Sequence, residues 1–182
     1  MEDLTDEELM QRVVEGEIAV MRYLFDRYHV RIYNFALQLT RDEEASKDIT
    51  QDVFYKMIKH KHTFKRTTFS SWIYTIARNR CYDHFQIAKK RAQDLHDFQW
   101  VAENGDGELP KRNGCTKQLN QALDRLSLSD RELIVMSRFQ GLKYREIAEI
   151  TNSNEGALKT KMHRALRKLK AFYFANTQQH EL

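Results

Sequence analysis

The strongest constraint in this chain lies at residues 129–170, which read SDRELIVMSRFQGLKYREIAEITNSNEGALKTKMHRALRKLK. Apolar residues recur three and four apart in three successive runs, separated by a glycine and then by an Asn/Ser cluster. That pattern commits the segment to three amphipathic helices. Ser129 and Glu132 have the spacing of a capping box, so the first helix is expected to start near Asp130. Leu133, Ile134, Met136 and Phe139 would form its apolar face, and Gly141 stands where a helix C-terminal glycine belongs. Residues 144–150 make a short second helix with Ile147, Ala148 and Ile150 inward. Asn152, Ser153 and Asn154 turn the chain, because their side chains bond local backbone and Asn tolerates the left-handed conformation. The third helix buries Leu158, Met162, Ala165 or Leu166, and Leu169. Lys159, Lys161, Arg164, Arg167, Lys168 and Lys170 remain outside, with no acid from 159 to 170. The result is a helix-turn-helix whose third helix suits a groove of a polyanionic duplex. An ordinary three-helix bundle would explain the cationic face, but not also the short second helix and the tight polar turn.

Charge along the rest of the chain is blocked rather than mixed. Residues 1–55 carry 6 basic and 13 acidic side chains, whereas residues 56–91 carry 10 basic ones and a single acid, Asp83. Residues 92–116 are again acidic, with 5 acids against 2 bases, and residues 117–182 are basic, with 12 against 7. Two separate basic blocks imply two separate contacts with a polyanion, and the acidic block requires a different partner or none.

The helical pattern extends to the N-terminus. Thr5 with Glu8, and Thr40 with Glu43, have capping-box spacing. Between them a stripe of Leu24, Phe25, Tyr28, Ile32, Phe35, Ala36 and Leu39 predicts one long helix. Ala45, Ile49, Val53, Phe54 and Met57 predict the next, to about His60. After a basic loop at 63–68, Trp72, Ile73, Ile76, Ala77 and Phe85 predict a helix over 69–90. The pattern collapses at 100–116, which holds three of the six glycines and the only proline. The expected architecture is therefore all-α. Two small helical domains, 1–99 and 117–182, are joined by a flexible linker at 100–116, and the second is the helix-turn-helix.

The stretch FKRTTFSSWIYTIARNRCYDHFQIAKKR at 64–91 interleaves aromatic and cationic residues. Flat rings suit unstacked bases and cations suit the backbone, a combination for single-stranded nucleic acid. Trp72, Ile76 and Phe85 are expected to lie partly in the core, while Phe64 and Phe69 border the loop and are the better base platforms. Cys81 and Cys115 belong to no CxxC or Cys/His cluster, and His60 and His62 lack nearby acidic or thiol ligands, so neither a metal nor another cofactor is expected. Without a leader or an apolar run of membrane-spanning length, the chain is expected to be soluble and cytoplasmic.

Three motifs together give a resemblance. ASKDITQDVFYKMIKH at 45–60, FSSWIYTIARNRCYDHF at 69–85 and the helix-turn-helix at 126–170 occur in the order, and roughly the spacing, of bacterial RNA polymerase sigma factors of the extracytoplasmic-function (ECF) group. The resemblance implies that the first motif binds core polymerase through Asp48, Gln51, Asp52 and Phe54. It implies that the second melts and reads the −10 promoter element. Phe64, Lys65, Arg66 and Phe69 would capture an extruded base, Trp72 would contact the same element, Asn79 would read a base edge, and Arg78 and Arg80 would hold phosphates. The third would bind the −35 element, with Glu155, Lys159, Thr160, His163 and Arg164 in the groove and Lys161, Arg167, Lys168 and Arg138 on phosphates. The implied partners are core polymerase, promoter DNA and an anti-sigma protein that covers the polymerase-binding face. The chain departs from the family pattern at Lys47, where an acidic or apolar residue is common, and at Lys111 and Arg112 in the otherwise acidic linker. A stand-alone helix-turn-helix regulator would leave the blocks at 48–52 and 64–85 unexplained. A nuclease would need acids near the basic surface, and a catalytic site is not expected from a chain whose residues 56–91 offer only Asp83.

Overall fold

The computed structural model describes residues 4–65, 68–96 and 114–177. Among them every regular element is helical. They form two compact units, Met1–Gly107 and Glu108–Leu182.

In the first unit, α1 (Asp6–Glu15) opens on the expected box: the Glu8 N–H donates to Thr5 Oγ1 and the Thr5 N–H to Glu8 Oε2 at 2.8 Å. The Thr5 backbone donor, then its hydroxyl, hold the Glu8 carboxyl below its ordinary pKa. Gly16 closes α1 at φ 112°, a conformation that L side chains rarely adopt. A 3-10 turn, Ile18–Val20, leads into α2 (Met21–Thr40), which is followed by α3 (Glu43–Lys59), a 3-10 turn Lys61–Thr63, and α4 (Phe69–His96).

The cap of α3 is Asp42, not Thr40. Arg41 takes the left-handed conformation at φ 58° and ends α2 one residue past Thr40, so the entry to α3 shifts forward. The Asp42 carboxylate accepts from the Ala45 N–H at 2.9 Å, and Thr40 donates its hydroxyl back to Ala36 O. Glu43 and Glu44 then sit in the first turn, where the helix dipole favours a negative charge.

The core of this unit is aromatic. Tyr74 meets Phe35 edge-on at 5.3 Å, and Phe69 meets Tyr28 edge-on at 5.0 Å. Leu24, Ile32, Leu39, Met57 and Ile73 fill the space between them and are fully buried. Each such side chain contributes about 1.5–3 kcal/mol by leaving water. The inner stripe of α4 is Ile73, Tyr74, Ala77 and Cys81, whereas Trp72, Ile76 and Phe85 are only half-buried.

The second unit comprises α5 (Gly114–Asp124), α6 (Leu128–Ile134), a π turn Val135–Phe139, α7 (Tyr144–Thr151) and α8 (Glu155–Thr177). Helix α5 thus begins inside the stretch expected to be linker; residues 100–113 of that stretch lie outside the described residues. The cap of α6 is Ser127 rather than Ser129, because Ser127 and Asp130 repeat the same spacing two residues earlier. Ser127 Oγ accepts from the Asp130 N–H at 3.2 Å. The helix then widens into the π turn, with the Gln140 N–H bonded to Val135 O at 3.0 Å. Wider turns rotate later residues out of the 3.6 period. Val135 is therefore buried, and Phe139, expected inside, is 43% exposed. Gly141 at φ 71° lets the Leu142 N–H reach Met136 O. Asn152 supplies the left-handed turn at φ 50°, and Asn154 Oδ1 accepts from the Ala157 N–H at 2.7 Å to start α8. Ile147, Ile150, Leu158, Met162 and Ala165 pack inward as expected.

The assignment of the α6 cap has a direct check. Ser127→Ala should lower protection of α6 in amide hydrogen exchange by about 1 kcal/mol, and Ser129→Ala by less than about 0.5 kcal/mol.

Candidate polymerase and nucleic-acid interfaces

The outer face of α3 leaves Asp48 and Gln51 exposed. Asp52 is half-buried, because its carboxylate accepts from Arg80 Nη2 of α4 at 2.5 Å. Phe54 does not share this face. It is 4% exposed, with its ring 4.8 Å from that of Phe25, so the expected partner contact is a core residue. Two residues that the motif did not single out complete the stripe: Tyr55 is 61% exposed and Ile58 36%. Positions 48, 51, 55 and 58 follow one another at three- and four-residue steps, a register readable from Asp48 onward. On α2, Phe25 is 42% exposed and stacks flat on His29 at 4.8 Å.

The loop before α4 corrects the assignment of its aromatics. Phe64 is 8% exposed and Phe69 is fully buried, so neither offers a free face to a base. They form a triangle with Trp72, Phe64 to Trp72 at 5.5 Å and both other pairs at 6.2 Å. Small aromatic clusters bury their faces against one another, which a linear sequence does not reveal. Trp72 alone of the three keeps part of its surface in solvent. Lys65 is exposed, and Arg66 lies outside the described residues. Along α4, Asn79 is exposed and Arg78 lies over the Tyr82 ring at 4.6 Å. Arg80 is not a free phosphate clamp. Its guanidinium bonds Asp52 on α3 and Asp83 at 2.8 Å on its own helix.

In α8, Glu155, Lys159, Thr160, His163, Arg164 and Arg167 are exposed and recur three and four apart, so the helix presents them as one strip. Arg138 is exposed on the π turn. Lys161 and Lys168 behave differently from the expectation. Lys161 Nζ donates to Ser129 Oγ, and Lys168 Nζ to Asp130 Oδ2 at 2.8 Å. Both lysines therefore tie α8 to the start of α6. Burial raises the pKa of the Asp130 carboxyl, but hydrogen bonds from Lys168 and Ser127, with the charges of Lys168 and Lys161, outweigh it and hold it below its ordinary value of 3.8. No group of three or more potential metal ligands occurs among the described residues.

One helix of each unit presents cations, and α3 also presents a strip with Asp48 at one end and Tyr55 and Ile58 at the other. The family comparisons specify the class. Residues 24–92 match Sigma-70 region 2, and residues 116–169 match Sigma-70 region 4. The ECF RNA polymerase sigma factor SigX of Bacillus subtilis is 28% identical over 159 residues, covering 81% of this chain and 80% of SigX. SigL of Mycobacterium tuberculosis, also an ECF sigma factor, is 27% identical over 166 residues, covering 85% of this chain and 89% of SigL. The fold is that of CnrH, solved with the cytosolic domain of CnrY, at TM-score 0.71, 22% identity and coverage of 93% and 97%. It is also that of the sigma factor RpoE of Bartonella quintana, solved with the anti-sigma factor NepR, at TM-score 0.69, 22% identity and coverage of 84% and 95%.

The chain belongs to the sigma-70 family of RNA polymerase sigma factors, in its ECF group. It is a sigma factor rather than a stand-alone regulator, and sigma factors are transcription initiation factors without enzymatic chemistry of their own. No helix among the described residues is long and apolar enough to cross a membrane.

The Asp130 charge is a stabilising one, so it predicts an acid response. Because the folded pKa lies below the unfolded one, the contribution is complete above 3.8 and is lost as pH falls through the folded value. Thermal unfolding of the second unit, followed by circular dichroism, should shift down in that acid range. Asp130→Asn, already without the charge, should show a smaller shift.

Proposed function

We propose that the three surfaces divide the work of promoter-directed initiation. The strip Asp48, Gln51, Tyr55 and Ile58 on α3 binds core polymerase, with charge at one end and apolar area at the other. Aromatic residues at such a position carry much of an interface's energy. Asp52 contributes at its edge while remaining paired to Arg80. Lys65, Trp72, Arg78 and Asn79 face the −10 element; Trp72 offers a base its exposed flank, and the Asn79 amide both donates and accepts. Phe64 and Phe69 shape this surface from beneath. Glu155, Lys159, Thr160, His163 and Arg164 read the −35 element, and Arg167 and Arg138 hold phosphates, contacts that position the helix without specifying sequence. Lys161 and Lys168 serve mainly to hold α8 on α6.

The observation that carries this reading is the outer strip of α8, free of acid from Lys159 onward, exposed along its length and started by the Asn154 cap. The positive end of the helix dipole there adds to the attraction for phosphate. The polymerase supplies the synthesis; this subunit, working in the cytoplasm, contributes no catalytic chemistry. Control by an anti-sigma protein fits the same reading. Exposed Phe25, Tyr55 and Ile58 on α2 and α3 give such a protein an apolar target, and covering them would withhold the factor from polymerase.

Two sets of variants test the division. Tyr55→Ala should weaken binding to core polymerase by about 2 kcal/mol, read as fluorescence anisotropy of labelled protein. Its thermal stability should stay close to that of wild type. Phe54→Ala should instead lower stability by about 3–5 kcal/mol. In selection of promoters from a randomised duplex library with holoenzyme, Arg164→Ala should relax preference at one −35 base pair, by about 1–3 kcal/mol. Arg167→Ala should weaken all sequences alike and flatten the salt dependence. A relaxed base preference in Arg167→Ala, or none in Arg164→Ala, would reverse these assignments.

A further inference from the structure

Helix α1 lies before the first residue of the region 2 match, which begins at residue 24, yet it makes two polar contacts that a mere N-terminal extension does not need. Glu7 Oε1 accepts from the backbone N–H of Phe69, the first residue of α4, at 2.7 Å across 62 residues of sequence. That N–H is one of the donors a helix start leaves without an intrahelical partner. At the other end of α1, Lys61 Nζ donates to Val13 O at 3.0 Å. There the last carbonyls of α1 form the negative end of its dipole, which favours a cation. Lys61 and Phe69 are the two ends of the segment that leads into α4 and carries the exposed Lys65. A single helix therefore contacts both Lys61, ahead of Lys65, and the first residue of α4.

The grip is rigid on the α1 side. Leu9, Met10 and Val13 are fully buried. Asp6 fixes the start of the helix by accepting from Arg27 Nη1 and from the Tyr28 hydroxyl, each at 2.6 Å. Burial and this bond to Asp6 keep the Tyr28 phenol protonated well above its usual range, so the contact persists across neutral pH. Tyr28 in turn packs edge-on to Phe69 at 5.0 Å, beside the N–H that Glu7 accepts. A chain of contacts thus runs from Asp6 and Glu7 through Tyr28 to Phe69, and on to Phe64 and Trp72.

We infer that Glu7 and Lys61 are positioning residues for −10 recognition, Glu7 holding the start of α4, and with it Trp72, and Lys61 holding the approach to Lys65, so that both side chains meet the unpaired strand in a fixed geometry. This rests on the assignment of that surface to the −10 element. Fixing these two side chains beforehand removes an entropic cost that would otherwise fall on base capture. The effect should therefore appear in strand opening and not in polymerase affinity.

The test uses the full chain reconstituted with core polymerase and a promoter recovered by the wild-type holoenzyme from a randomised duplex library. Three quantities are read: affinity for core polymerase, thermal unfolding, and open complex measured by permanganate reactivity of unpaired thymines. Glu7→Ala should lower the open-complex equilibrium by about tenfold, the size expected for losing a hydrogen bond to a charged acceptor. Its core affinity should stay within about twofold of wild type. Glu7→Gln, whose amide oxygen can still accept from Phe69, should retain most of the opening. Lys61→Met should act in the same direction as Glu7→Ala. Open complex at the wild-type level in Glu7→Ala would overturn the inference. So would a loss of core affinity in step with opening, which would make α1 a general fold element. Failure of the wild-type holoenzyme to open any library duplex would instead overturn the −10 assignment beneath it.

Discussion

Tyr74, fully buried and edge-on to Phe35, fixes the rotation of α4 about its own axis. With Ile73, Ala77 and Cys81 also inward, the remaining positions of the helix have no freedom of facing. Asn79 must point to solvent. Arg80 must turn toward α3, where it meets Asp52. Removing the Tyr74 ring would cost about 3–5 kcal/mol and would also release this phase. The strip on α3 proposed to meet polymerase and the surface on α4 proposed to meet the promoter are therefore set by the same packed interior. The Asp52–Arg80 pair is where the two surfaces touch.

The second unit solves a similar problem with local backbone devices. The π turn and Gly141 rotate the chain so that Val135 is buried and Arg138 and Phe139 face outward. Asn152 and Asn154 then reverse the chain and start α8 within three residues. Lys161 and Lys168 use two of the cations of α8 to hold that helix on α6, leaving Lys159, Arg164 and Arg167 for a ligand. A one-sign helix can be both anchored and available because successive lysines fall on different sides of it.

The sequence made the helices legible where period and caps agreed: Thr5 with Glu8, Gly141, and the Asn152 turn all stand where expected. It misled where two caps compete within a few residues. Asp42 prevailed over Thr40 through a backbone conformation, the left-handed Arg41, that no pattern marks, and Ser127 over Ser129 because the same three-residue spacing recurs two residues earlier. Burial was legible for aliphatic stripes and poorly so for aromatics. Phe64 and Phe69 close on Trp72 across a loop, and Phe54 docks on Phe25 of another helix. For the same reason, composition alone could not separate cations available to a ligand from those that meet a neighbouring helix. Arg80, Lys161 and Lys168 are engaged by side chains 28 to 38 residues away.

If the surfaces divide the work as proposed, polymerase binding and promoter binding form one linked equilibrium. The direct measurement is equilibrium binding of the protein to a selected promoter duplex, with and without core polymerase, over a range of salt concentrations. The expected result is weak, strongly salt-dependent and sequence-indifferent binding by the protein alone, and tight sequence-specific binding once core polymerase is added. Tight, site-specific binding by the protein alone, unchanged by core polymerase, would contradict it.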